Sequence, residues 1–283
     1  MATAFGRTRL SSSMRFPWLR WAGSKKRALS GLRAILENLE YDCYVHPFVG
    51  AGSIYFTLVR SPAAILSDVN KDLIFFYRYL QQSPDELWSK LSTFPLRFST
   101  DFYVETRKKF NSLPEGLNRA ATFFFLNRTC FNGIYRTNRR GEFNVPVGRK
   151  VFSSPRLEAF RHLSKCLQTA ELLDCDFAET ARYAKRGALY YLDPPYTETR
   201  RGSSYNRYSW PPFRRTDLER LRDFVATIVG RGAHVVVSYA GNKMPWFLPQ
   251  YFGLKRMKVF RSISSDGSRG DKAEICAFFW QKV

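Results

Sequence analysis

The sequence predicts an α/β fold built on a covered, mostly parallel sheet, and three observations carry that prediction. Short runs that are apolar without alternation recur along the chain, helical segments separate them, and several end in glycine or in an acid. A strand buried on both faces needs apolar residues at successive positions, and parallel strands need a long crossover between them. In such a doubly wound sheet, ligands lie at the carboxyl ends of the strands.

The elements follow in order. Residues 1–14 read as a basic, mobile tail without the apolar core of a signal peptide. "CYVHPFVGAGS" (43–53) is a short β-prone run ending in glycines, and "IYFTLVR" after it suits a helix start. "AAILSDVN" (63–70) is a second apolar strand ending in an acid. From Phe75 to about Lys165 the buried strand type vanishes and aromatic and basic residues dominate, which marks an inserted, mainly helical module. Within it "NRTCFNGIYRTNRRGEFNVPVGR" (127–149) reads as an exposed hairpin turning near Arg140-Gly141. "GALYYLDPPY" (187–196) and "GAHVVVSYAGN" (232–242) are two more continuous apolar runs, separated by the helical "TDLERLRDFVATIVGRG" (216–232). "AEICAFFWQKV" (273–283) closes the sheet. The expected division is a catalytic part at 15–75 and 166–283, interrupted by a recognition insert at 76–165.

Composition narrows the function. Of 283 residues, 45% are hydrophobic and 16% aromatic, which excludes a disordered chain and allows one large domain carrying a smaller insert. The net charge of +21 implies a polyanionic partner, because each phosphate neutralised by Lys or Arg releases a condensed counterion. Aromatic residues add stacking platforms, so nucleic acid is the expected partner. No run approaches 18 consecutive apolar residues, and no membrane partner is expected. The five cysteines include no C-x-x-C pair, and His46, His162 and His234 are widely spaced. Reduced thiols in a cytoplasmic protein, and no metal site, are the expectation.

Three strand ends and one upstream segment carry candidate chemistry. Gly50 and Gly52 let backbone amides approach a ligand closely, or simply close a tight turn; their spacing is not that of the dinucleotide fingerprint. Asp68 has the carboxylate to accept from both hydroxyls of a ribose, or else caps a helix. "LRWAGSKK" (19–26) sets Trp21 and Lys25 around a glycine, and without context it is an exposed basic turn. "LYYLDPPYTETRR" (189–201) puts Asp193, Pro194, Pro195 and Tyr196 directly after an apolar run. On average composition such a tetrad arises by chance at roughly one position in 10⁵. Taken alone it is a stiff turn.

In this order, "RWAGSKK", "FVGAGS", "SDVN", "LLDCDF" and "LDPPY" resemble the Dam-like (D12-class) DNA adenine-N6 methyltransferases, from about Trp18 to the C-terminus. The resemblance implies a Rossmann-like sheet with a target-recognition insert between its cofactor and catalytic halves. It implies S-adenosylmethionine as cofactor, S-adenosylhomocysteine as product and double-stranded DNA as substrate. Trp21 and Lys25 would hold the cofactor, Phe48, Gly50 and Gly52 would line its pocket, and Asp68 would bind its ribose. Asp176 and Phe177 would border its adenine, unless Phe177 is plain core packing, and Asp193 would contact the cofactor as well as act in catalysis. The hairpin resembles the family's DNA-contacting hairpin, which assigns contacts to Phe131, Asn132, Ile134, Arg136, Asn138 and Pro146. Family members with this hairpin read GATC, although Ile134 stands where they commonly have leucine. A monomer in the cytoplasm, acting alone or with a cognate restriction endonuclease, is the expected setting.

The chemistry explains the Asp-Pro-Pro-Tyr end. The exocyclic amine of adenine is a poor nucleophile because its lone pair is delocalised into the ring. Asp193 and the carbonyl of Pro194 would accept its two N–H bonds and localise that pair. The prolines fix the backbone and donate nothing. Tyr196 offers a face for a base flipped out of the duplex. In the following loop, Arg200, Arg201 and Arg207 suit phosphates, and Tyr205 and Tyr208 suit packing around the flipped nucleotide, if the loop is not merely solvated. The same strand-end motif serves cytosine N4, RNA adenine and glutamine. The charge disfavours glutamine, and aspartate before Pro-Pro favours adenine. A DNA-binding protein with a decayed catalytic core is the non-enzymatic rival, and intact Asp68, Asp176 and Asp193 argue against it.

Overall fold

The computed structural model describes residues 19–21, 29–59, 61–195, 213–240, 245, 246 and 248, and the backbone of 253–261 and 270–279. Seven strands form one sheet: β1 (Cys43–His46), β2 (Ala63–Ser67), β3 (Ala170–Leu173), β4 (Ala188–Leu192), β5 (His234–Ala240), β6 (Gly253–Arg261) and β7 (Gly270–Phe279). Their order is β3-β2-β1-β4-β5-β7-β6. The first five run parallel, while β7 is antiparallel to both β5 and β6. This is a Rossmann-like, doubly wound sheet with an antiparallel pair at one edge. The chain leaves β1 toward β2 on one side and returns to β4 on the other. The order therefore reverses between β1 and β4, and a ligand crevice is expected there.

The apolar runs predicted to be strands become β1, β2, β4, β5 and β7, each buried on both faces where side chains are described. Alternate residues serve opposite layers. Tyr44, Leu66, Leu189, Tyr191 and Val236 face one core, while Cys43, Val45, Ile65, Tyr190 and Val235 face the other. Helix α8 (Arg215–Gly230) and the 3₁₀ turn Phe177–Tyr183 cover the second face.

The first face is covered by α1 (Leu29–Leu36), α2 (Ser53–Leu58) and five helices between β2 and β3. These are α3 (Lys71–Gln82), α4 (Pro84–Ser92), α5 (Thr100–Phe110), α6 (Leu117–Thr129) and α7 (Leu157–Leu167). The boundaries read from composition, 75/76 and 165/166, fall inside α3 and α7, because those amphipathic helices serve sheet and insert at once. Phe76 stacks on Phe124, and Phe94 on Phe125, within the same apolar cluster as Tyr44 and Leu66. The helical layer thus shares its core with the sheet.

The hairpin turns where the sequence set it. Thr137 and Phe143 pair antiparallel, Asn138 N–H donates to Glu142 O, and Gly141 takes φ +79°. Helix α5 holds its return arm: Asn111 exchanges two hydrogen bonds with the Phe143 backbone, and the Tyr103 hydroxyl donates to Val145 O.

Candidate active site and nucleic-acid interface

The carboxyl ends of β1 to β4 share one edge, and the motifs gather there. Val49 N–H donates to Ser67 O and Asp68 N–H to Leu173 O, so the register continues beyond the strands. Gly50 and Gly52 take φ +49° and +65°, the left-handed region that glycine enters without steric cost. A Cβ on Gly50 would come within 2.9 Å of Cδ1 of Trp21, and one on Gly52 would run into the Phe56 ring. Glycine is required here for close approach.

Asp68 is half-buried and anchors this turn. Its Oδ2 accepts from Gly50 N–H at 3.1 Å and its Oδ1 from Asn70 N–H at 3.0 Å. Burial raises its pKa to about 6, against the opposing pull of those two amides. The helix cap is Asn70, whose side chain accepts from Leu73 N–H; Asp68 does not cap α3. The Tyr77 hydroxyl donates to Gly50 O at 2.8 Å, a support with no local signal in the sequence.

Trp21 stacks on Tyr135, centroids 6.0 Å apart, and packs against the core. The segment is pinned by α6: Arg20 N–H donates to Asn127 Oδ1, and Asn127 Nδ2 returns a bond to Arg20 O. Across the crevice Phe48 lies 5.4 Å from Phe177 and 6.2 Å from Phe213. Phe177 is 2% exposed and packs on Phe224, so its body is core. Asp176 caps the 3₁₀ turn through Ala178 N–H and pairs with Arg220 at 2.7 Å. The same guanidinium lies 5.0 Å above the Phe177 ring. Arg220 comes from α8, 44 residues away, and no motif announced it.

Asp193 stands half-buried just past β4, between the ends of β1 and β5, followed by buried Pro194 and exposed Pro195. It is close enough to Tyr44 to add to the rise that burial imposes on that phenol's pKa. Tyr196, Lys25, Arg200, Arg201, Tyr205, Arg207 and Tyr208 lie outside the described residues.

In the hairpin, Phe131 is 51% exposed, and its N–H donates to the carbonyl of exposed Pro146. Asn132 is exposed and takes φ +54°, which asparagine tolerates better than most residues. Ile134 is half-buried against the core. Arg136 Nε donates to Asn144 Oδ1 at 2.8 Å, so Asn144, unmarked by the sequence, orients that guanidinium. Asn138 uses its side chain within the turn: its amide donates to Glu142, and its oxygen accepts from Arg140 and Glu142 N–H.

The sequence also gave no hint of a guanidinium cluster at the hairpin base. Arg20 Nη1 reaches Arg128 O and Cys130 O at 3.5 Å. Burial and the charge of Arg149 hold Arg20 below the ordinary arginine pKa; burial, Arg20 and Arg149 do the same to Arg128. The three guanidiniums thus add to one positive field at the hairpin base. Among the described residues no His/Cys/Asp/Glu group could hold a metal, and no helix is long and apolar enough to cross a membrane.

The family model for D12 class N6 adenine-specific DNA methyltransferase matches residues 21–272. A relative named type II methyltransferase M.MjaIII, from Methanocaldococcus jannaschii, is 33% identical over 89% of this chain and 94% of its own. The DNA adenine methylase of Haemophilus influenzae is 30% identical over 93% of each chain. That of Salmonella typhi is 32% identical over 93% of this chain and 95% of its own. With the motifs gathered at one sheet edge and the match spanning both halves of the sheet, the chain belongs to the D12 class of N6 adenine-specific DNA methyltransferases.

Proposed function

We propose that this adenine-specific DNA methyltransferase takes S-adenosylmethionine in the crevice between β1 and β4 and methylates N6 of an adenine flipped out of duplex DNA, within GATC. The observation that carries the reading is the convergence of Asp68, Gly50, Trp21 and Asp193 on the switch point of the sheet. The residues fit the cofactor: two left-handed glycines let Trp21 and Phe56 pack directly on the backbone of the turn, and the Asp68 carboxylate stands at its side. When bound, the cofactor supplies a methyl group already activated by positive sulfur.

The chain supplies placement. Asp68 accepts from the ribose hydroxyls while its amide donors hold it in position. Phe48 and the edge of Phe177 give the cofactor's adenine an apolar wall, and Asp176, fixed by Arg220, borders it. Asp193 and the Pro194 carbonyl accept the two N–H bonds of the target amine and draw its lone pair out of the ring. With the backbone rigid beforehand, no reorganisation is required at the moment of transfer.

Arg136 reads guanine through O6 and N7, oriented by Asn144. Phe131 and Pro146, side by side and exposed, suit a wedge beside the vacated stack, with Asn132 next to them. Ile134 backs that wedge from the core, and the fixed amide of Asn138 shapes the tip that approaches the groove. Arg20, Arg128 and Arg149 suit a backbone phosphate. The net charge of +21 supports association with DNA, and the proposed setting is a monomer in the cytoplasm. Relatives named both type II methyltransferase and DNA adenine methylase support either a restriction partner or solitary action.

The test is to incubate unmethylated plasmid with the protein and S-adenosylmethionine. The plasmid is digested with nucleases that cut only methylated or only unmethylated GATC, and N6-methyladenine is mapped by sequencing. Methylation confined to GATC is expected. A different mapped site overturns the GATC assignment alone, and methylation of cytosine overturns the placement of the target amine.

A further inference from the structure

Tyr135 sits between the two hairpin residues Ile134 and Arg136, yet its contacts lead away from the DNA side. Its ring stacks on Trp21 at 26° and packs against Phe123 and Phe143. Its hydroxyl donates to Oδ2 of Asp72 at 2.5 Å. Asp72 is 9% exposed, and its other oxygen accepts from Arg119 Nε at 2.7 Å. Arg119 is fixed in turn by the carbonyls of Phe110 and Leu113. Burial and the Asp72 charge drive the Tyr135 pKa far up, so the phenol stays a donor at any working pH.

Two routes run from this side chain to one carboxylate. Through its ring, Tyr135 backs Trp21, which lies against Gly50, whose N–H holds Asp68. Through its hydroxyl, it holds Asp72, two residues beyond Asn70, whose N–H holds the other oxygen of Asp68. The result is a closed ring of contacts joining the hairpin to the β1 and β2 ends. A shift of the hairpin must move Trp21 or break a buried hydrogen bond to a carboxylate, and both disturb Asp68.

We propose that Tyr135 is a positioning residue that couples the recognition hairpin to the cofactor pocket, so that engagement of DNA changes the affinity for the cofactor. This rests on the reading that Asp68 and Trp21 belong to that pocket and that the hairpin meets DNA. By reciprocity, the cofactor changes DNA affinity by the same factor.

The experiment titrates S-adenosylhomocysteine into wild type, Y135F and Y135L, each alone and saturated with a short duplex carrying the mapped site. Melting temperatures show that each variant is folded. Wild type should show a Kd ratio between the two states in the usual coupling range of about 5–150. Y135F keeps the ring and loses the hydroxyl, and its ratio should fall at least about threefold, whatever the lost bond does to the Kd of the DNA-free protein. Y135L loses both routes, and its ratio should approach one. A purely structural role would weaken both affinities or lower the melting temperature and leave the ratio unchanged. A wild-type ratio of one, or a wild-type ratio retained by both variants, overturns the coupling alone. Failure of wild type to bind S-adenosylhomocysteine overturns the cofactor reading and the coupling with it.

Discussion

The backbone N–H of Gly50 donates to Oδ2 of Asp68 across 3.1 Å, so the turn after β1 and the end of β2 form one unit. The acceptor of that bond has a pKa raised to about 6 by burial. With a group this close to neutrality, the proposed cofactor pocket should be sensitive to mild acid.

Affinity for S-adenosylhomocysteine should therefore fall as pH drops below about 6. The sign follows from the acceptor: above that pH Asp68 is ionised and takes hydroxyl donors, and below it the carboxyl carries its own proton. The loss should approach about tenfold per pH unit. Asp68→Asn should bind weakly at every pH and flatten the profile. Titrations between pH 5 and 8 on both proteins check this, and an equally steep profile in the variant would assign the titration elsewhere.

Gly50→Ala should weaken cofactor binding and lower stability together. The left-handed φ of +49° alone costs an alanine about 1–2 kcal/mol. The added Cβ also meets Trp21 at 2.9 Å. Gly141→Ala is the comparison, since that glycine is also left-handed, at φ +79°, but has nothing within 4 Å of its Cβ. It should lose stability modestly and bind cofactor normally. Calorimetry and thermal melts on the two variants separate crowding from backbone strain.

Much of the sheet was legible because β1, β2, β4 and β5 are continuous apolar runs, buried on both faces. β3 gives no strand signal: "AELL" is four residues long, sits at the sheet edge and leaves Glu171 exposed, so it carries no buried-strand pattern. "GLKRMKVFR" of β6, at the other edge, is broken by Lys255, Arg256 and Lys258 and gives no apolar run. At the site, each motif named the end of its own strand. The supports were hidden because they come from afar: Tyr77 reaches Gly50 across 27 residues, Tyr135 reaches Asp72 across 63, and Arg220 reaches Asp176 across 44. No local pattern encodes contacts that only tertiary packing creates.

Arg136 and Arg149 should fail differently. Arg136→Ala should relax preference at the base 5′ to the adenine, losing about 1–3 kcal/mol of discrimination. Arg149→Ala should weaken binding to all sequences alike and reduce the log–log salt slope by about one. Methylation rates on duplexes differing at that one base, with affinities across a salt series, distinguish the two. Equal discrimination by wild type and Arg136→Ala would reduce Arg136 to a backbone contact.

The most direct measurement is single-turnover methyl transfer by Asp193→Ala, compared with wild type on the same duplex and with cofactor and DNA binding measured in parallel. Removing one preorganised acceptor typically costs about 10²–10³ in rate. The account predicts a loss at least that large, with both ligands still bound, because Asp193 acts on the target amine rather than on the fold. Transfer near the wild-type rate by a folded variant would contradict it.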